Sequence, residues 1–191
     1  MRPTILNPWF TDIRSLNGVG DKVGEGLERA FSVRNPARLR DLLLTPPSSL
    51  IDRSNRPGIA GALQGDVATF LVTVGRHTPG KTRSQPYRIR VYDETGDMAL
   101  VFFKAYGSTL ERQFPEGAQK LISGKVEIYN AQAQMSHPDY VLDPDQADEL
   151  PNFEPVYPLT AGISPKIARK SVWSALETVS LGDALPDWID P

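Results

Sequence analysis

The chain has 191 residues, 40% of them hydrophobic, enough to bury one substantial core with appendages or two small ones. It has no cysteine and only two histidines, His77 and His137, which excludes disulfides and thiolate chemistry and starves the common zinc sites of ligands. The formal net charge of −2 excludes a uniformly basic binder, yet Arg76 to Arg90 holds five cations and no acid, while Asp139 to Glu154 holds six acids and no cation.

In chain order, Val23, Leu27, Ala30 and Phe31 recur at helical spacing. Ahead of them, Leu16-Asn17-Gly18-Val19-Gly20-Asp21-Lys22-Val23 resembles the glycine hairpin of helix-hairpin-helix proteins, in which two glycines expose backbone N–H groups to a DNA phosphate. On that resemblance Gly18, Gly20 and Lys22 are candidate phosphate contacts; the plainer reading is that the glycines only turn the chain. Asn35-Pro36 supplies a cap and first-turn proline for a second helix through Leu39, Leu42 and Leu43, and Pro46-Pro47 stops it.

After a polar stretch from Ser48 to Gly65 the period changes to alternation, which places a second folding unit from about Asp66. Strands are expected over Val67 to Val74, Tyr87 to Tyr92, Met98 to Phe103 and Leu121 to Tyr129, with a weaker fifth over Gln134 to Leu142. A short helix, Ser108 to Phe114, separates the third from the fourth. The fold class is therefore α+β: N-terminal helices over 1–65, a five-stranded OB barrel over 66–143, then a linker and a C-terminal helix over 144–191. That helix opens at Ser164-Pro165 and carries an apolar stripe of Ala168, Val172, Ala175, Leu176 and Val179.

Gly75-Arg76-His77-Thr78-Pro79-Gly80-Lys81-Thr82 satisfies the phosphate-loop pattern. A working loop must open a helix, because the helix N-terminus holds the phosphates; here Pro86 and an alternating strand follow. The segment is expected instead to be a basic hairpin tip presenting Arg76, Lys81 and Arg83 to a phosphate backbone. On the next strand Arg88 and Arg90 share a face with Tyr92, whereas Phe102 and Phe103 must point to opposite faces of theirs. Exposed rings beside cations are what single-strand binding needs, so Phe103, Phe102 and Tyr106 are candidate stacking rings, and Arg88, Arg90 and Lys104 join the phosphate contacts. No catalytic group and no metal site is expected.

The strings Phe102-Phe103, Met135-Ser136-His137-Pro138-Asp139-Tyr140 and Pro155-Val156-Tyr157-Pro158-Leu159-Thr160-Ala161-Gly162, in that order, look like successive signatures of RecG-type ATP-dependent DNA helicases. Asp41-Leu42-Leu43 and Ile51-Asp52-Arg53-Ser54 extend the similarity over nearly the whole chain. The resemblance implies a wedge: an OB barrel set at a fork or Holliday junction, with an aromatic stacked on the parting base pair, acting in fork regression and branch migration during repair and recombination. It implies branched DNA as partner, single-stranded DNA-binding protein as a further one, a monomer, and a cytoplasmic, nucleoid-associated location with no membrane contact. No cofactor is expected on this chain; ATP and magnesium belong to motor lobes that family members carry beyond this region. Departures are Gly107, where the family places a stacking aromatic and Tyr106 is the nearest substitute, and Leu50 for a tyrosine; Gly24 departs from the helix-hairpin-helix pattern, which prefers alanine there. The alternatives are an OB module that binds RNA or a protein, and a small nucleotide hydrolase built on Gly75 to Thr82.

Overall fold

A computed structural model describes residues 4–31, 36–82, 84–103 and 107–179. The chain runs α1 (Asp21–Phe31), α2 (Leu39–Leu43), β1 (Ser49–Asp52), β2 (Val67–Thr78), β3 (Tyr87–Tyr92), β4 (Asp97–Phe102), α3 (Gly107–Gln113), β5 (Gln119–Tyr129), β6 (Gln132–Ser136), β7 (Tyr140–Leu142), β8 (Phe153–Val156) and α4 (Pro165–Thr178), with short 3-10 turns between. It divides into two compact units, one built from the chain up to Leu50 and from Pro155 onward, the other from Ile51–Glu154. The chain leaves and re-enters the first unit within β1 and β8, which pair as a two-stranded sheet.

These boundaries differ from the change of period near Asp66 and from the linker expected after Asp143. Arg53 and Ile59 are buried within the barrel unit although the sequence around them is polar, and Glu154 is tied to the same unit. The expected linker holds a 3-10 stretch, Pro144–Glu149, and the strand β8.

In the helical unit, Ile13, Leu16, Leu27, Leu39, Leu42, Ala168, Val172 and Ala175 form one core. Two glycines of α1, Gly24 and Gly26, are buried. A Cβ at Gly26 would lie 2.5 Å from Ile163 Cγ1, so the missing side chain is what lets the segment before α4 close on α1. Thr160 Oγ1 adds a bond to the Gly26 carbonyl at 3.2 Å. Inside the core Glu28 accepts from Arg14 Nη1 at 2.7 Å and from the Ala37 N–H at 3.2 Å. The Arg14 bond, helped by the Ala37 N–H, holds the Glu28 carboxyl below its ordinary value against the opposing effect of burial.

The α2 cap is Arg38, whose N–H donates to Asp41 Oδ2 at 2.7 Å, later than the cap expected at Asn35, which lies outside the described residues. Ser164 caps α4 as the sequence predicts, accepting from the Ile167 N–H at 3.3 Å. Of the expected stripe, Ala168, Val172, Ala175 and Val179 are buried, but Leu176 is 48% exposed at its flank.

The second unit is the closed barrel. β2, β3, β4, β6 and β5 are paired in that order and β5 closes back on β2 along seven residue pairs from Val67↔Lys125 to Thr73↔Gln119. All contacts in the ring are antiparallel except β4–β6. The inward positions Phe70, Val72, Val74, Ile89, Val91, Met98, Leu100, Ile122, Val126 and Met135 fill it, and Leu110 with Phe114 plugs it from α3. The expected fifth strand is split into β6 and β7, both along β5, by a break at His137, whose φ is 47°.

Candidate nucleic-acid interface

The phosphate-loop string forms part of β2 and a hairpin tip. β2 continues to Thr78, and its register to β3 shifts between Val74↔Val91 and His77↔Ile89, which sets Gly75 and Arg76 together opposite Arg90. A Cβ at Gly75 would sit 3.0 Å from the Arg90 carbonyl oxygen, and one at Gly80 would overlap the Gln85 carbonyl. Both glycines of the string are therefore explained by close backbone approach in a hairpin, and among the described residues no helix opens after it.

The bulge puts Arg76 beside Arg90. Along β3 burial alternates strictly, with Tyr87, Ile89 and Val91 buried and Arg88, Arg90 and Tyr92 exposed on the outer face. Arg88 pairs with Val101 and Thr78, and Arg90 with Ala99. Arg88 has no ion-pair partner among the described residues, whereas Arg90 Nε lies 3.3 Å from Asp97 Oδ2 and is partly neutralised. Lys81 is exposed at the hairpin tip, where its N–H donates to Gln85 Oε1 at 2.9 Å.

Phe102 and Phe103 separate as alternation requires. Phe102 pairs with Tyr87, is 8% exposed and packs on Phe114 with ring centroids 5.6 Å apart, so it is core and is withdrawn as a stacking ring: it has no free face to offer. Phe103 is 51% exposed. Extending the β3–β4 register one residue past Tyr87↔Phe102 makes it the diagonal neighbour of Arg88 on the outer face, a placement that in a regular ladder separates Cα atoms by about 7–8 Å. An unsheltered ring beside a cation without a protein partner can stack on a base while the charge meets its phosphate. Tyr106, Lys104 and Arg83 lie outside the described residues.

At the other end of the face, Asp97 faces Tyr92 and Gln132 accompanies Tyr129, which is 59% exposed. Tyr129 went unremarked in the sequence, although the alternation of β5 puts it outward. Glu127 accepts from Gln134 and Ser136, each at 3.0 Å. The cationic character is thus concentrated at the Phe103 end.

In the helical unit Gly18 and Gly20 are exposed, and a Cβ on either would meet nothing within 4 Å. Gly18 requires its residue type through φ 82°, in a turn closed by the Val19 N–H to the Leu16 carbonyl at 3.1 Å. Gly20 precedes α1 and accepts from the Gly24 N–H at 2.8 Å; Lys22 is exposed in the first turn. No group of three or more His, Asp or Glu among the described residues could hold a metal ion, and no described helix is long and apolar enough to cross a membrane.

No protein-family model matches the chain. In sequence it is 25% identical over 171 residues to the ATP-dependent DNA helicase RecG of Synechocystis sp., covering 80% of this chain and 21% of that protein. In structure it matches RecG bound to a three-way DNA junction with a TM-score of 0.74 at 23% identity, covering 93% of this chain and 24% of that one. The chain is thus similar to RecG in sequence and shares the fold of the matching region. It spans less than a quarter of the length of these relatives.

The RecG-like strings now have physical roles. Tyr157 sets its ring 5.6 Å from Phe31, and Thr160 and Ile163 close on Gly26, so the Pro155-to-Gly162 string is packing in the helical unit. Burial pushes the Tyr157 phenol up. Arg53, from the Ile51-to-Ser54 string, is 1% exposed; it donates to Glu154 at 2.6 Å, Asp139 at 3.0 Å and Ser123 at 3.1 Å. Ser123 is buried with it. Lys120 Nζ lies 2.6 Å from Asp143 Oδ1. Three of the acids between Asp139 and Glu154 are therefore paired with cations of the barrel unit, Glu154 buried and Asp139 and Asp143 half exposed.

Proposed function

We propose that the outer face of the barrel grips branched DNA, a fork or junction where duplex gives way to single strand, and that the chain is the strand-separating wedge of a longer RecG-type helicase. The observation that carries this reading is the diagonal placement of the exposed Phe103 beside Arg88, with Arg90 and Arg76 next along the same face. Cations quench backbone repulsion at the point where a ring can cap an unpaired base. Phe103 takes the base; Arg76, Lys81, Arg88 and Arg90 take phosphates. Gly18, Gly20 and Lys22 take a phosphate of a duplex arm.

In this reading ATP and magnesium serve motor lobes elsewhere in the longer protein, and the Gly75-to-Thr82 hairpin takes no part in holding them. The activity belongs to fork regression and branch migration, carried out by a monomer at the nucleoid, with single-stranded DNA-binding protein as a second partner. A module that binds a basic protein through its acidic segment has less support, because Asp139, Asp143 and Glu154 already pair with Arg53 and Lys120.

The test is Phe103→Ala, titrated by fluorescence anisotropy against fork, duplex and single-stranded DNA. Fork binding should weaken by about 1–3 kcal/mol with an unchanged Tm. Unchanged fork affinity would remove the ring from the site, and a large fall in Tm would mark it as core.

A further inference from the structure

We infer that His137 is the positioning residue for the Phe103 ring, its imidazole standing in for a missing rung of the β4–β6 ladder. The inference rests on Phe103 being the ring that meets the unpaired base. β4 and β6 run parallel with Val101 paired to Ser136, and the His137 N–H donates to the Val101 carbonyl at 3.0 Å. In a regular parallel ladder the next bond would run from the Phe103 N–H to the His137 carbonyl. Here β6 has ended at Ser136 and His137 turns into the left-handed region at φ 47°.

The Phe103 N–H goes instead to His137 Nε2 at 3.0 Å. Accepting there puts the imidazole proton on Nδ1. The imidazole is braced by the core, lying edge-on to buried Phe102 at 5.6 Å and 81°, and it faces exposed Phe103 at 5.9 Å and 31°. His137 therefore holds the backbone of the first residue after β4, and so fixes the direction in which the Phe103 ring leaves the barrel. A left-handed backbone is unfavourable for a histidine, and the side-chain bond is what the position gains from it.

The experiment uses the full chain and a synthetic fork carrying 2-aminopurine at the branch point, with the parental duplex as reference. His137→Ala and His137→Asn should each weaken fork binding about threefold to tenfold and leave duplex binding unchanged. Asn tolerates the left-handed backbone, but its carbonyl is too short to reach the Nε2 position. His137→Gln, whose Oε1 reaches that position, should restore both the affinity and the 2-aminopurine signal. In a Phe103→Ala background His137→Ala should have no further effect.

Wild-type fork affinity in His137→Ala and His137→Asn, with Phe103→Ala weakened, would overturn the positioning role and leave the wedge reading intact. So would a full His137→Ala effect in the Phe103→Ala background, which would make His137 an independent contact. Phe103→Ala binding like wild type would defeat the wedge reading itself, and with it any ring for His137 to position.

Discussion

Arg53 and Glu154, 101 residues apart in sequence, meet at 2.6 Å with both side chains buried, and the guanidinium also reaches Ser123 and Asp139. This bond ties both ends of the barrel unit, the segment after β1 and the segment within β8, to its wall. Removing Arg53 strands the Glu154 carboxylate away from water, whereas Arg53 without Glu154 keeps Asp139. Arg53→Met should cost about 3–5 kcal/mol in urea unfolding and Glu154→Gln less. A loss below about 1 kcal/mol would show that the network is solvent-relaxed.

Gly26 and Ile163 form a steric pair. An alanine is favoured over glycine within a helix by about 1 kcal/mol, but its Cβ would overlap Ile163, and overpacking costs about 1–3 kcal/mol. Gly26→Ala should therefore destabilise the wild-type chain. In an Ile163→Ala background the same substitution should become neutral or stabilising. The same sign in both backgrounds would place the cause elsewhere.

The helical unit should be acid-sensitive through Glu28. The Arg14 hydrogen bond and the Ala37 N–H lower the native carboxyl below its ordinary value of 4.5. A carboxyl depressed in the native state contributes stability that is fully present above about pH 4.5 and is lost as pH falls through the lower native value. Glu28→Gln should be less stable than wild type at neutral pH, and the gap should narrow below pH 4.5. A gap independent of pH between 3 and 7 would rule out the titration, whatever the structural cost.

Isothermal titration of Mg-ATP into the chain should give no heat of binding, because the Gly75-to-Thr82 segment is a β-bulge followed by a hairpin tip. Saturable heat that disappears in Lys81→Ala would contradict that assignment.

Much of the barrel was legible because its strands alternate. Tyr87 to Tyr92 is found with its expected bounds, and the expected opposition of Phe102 and Phe103 holds; only the register to Tyr87 decides which of the two is inside. The bulge at Gly75 broke the period, so β2 extends four residues beyond its expected end at Val74. β1 and β8 were missed because strands of four residues, the first mostly exposed, carry no apolar alternation and their pairing spans the whole barrel. Arg53 reads as a solvated loop residue between Asp52 and Ser54, and nothing local announces partners 70, 86 and 101 positions away. In the sequence His137 is one of two histidines and part of a string; its acceptor role depends on a left-handed turn that the sequence does not signal.

On the proposed wedge face, cations and the exposed ring act together. This can be read from the salt dependence of fork affinity in wild type and Arg88→Ala, plotted as log K against log salt. A clear negative slope should appear and shrink by about 1 in Arg88→Ala, with affinity lowered uniformly across DNA sequences. A flat slope in wild type, or one that Arg88→Ala leaves unchanged, would contradict it.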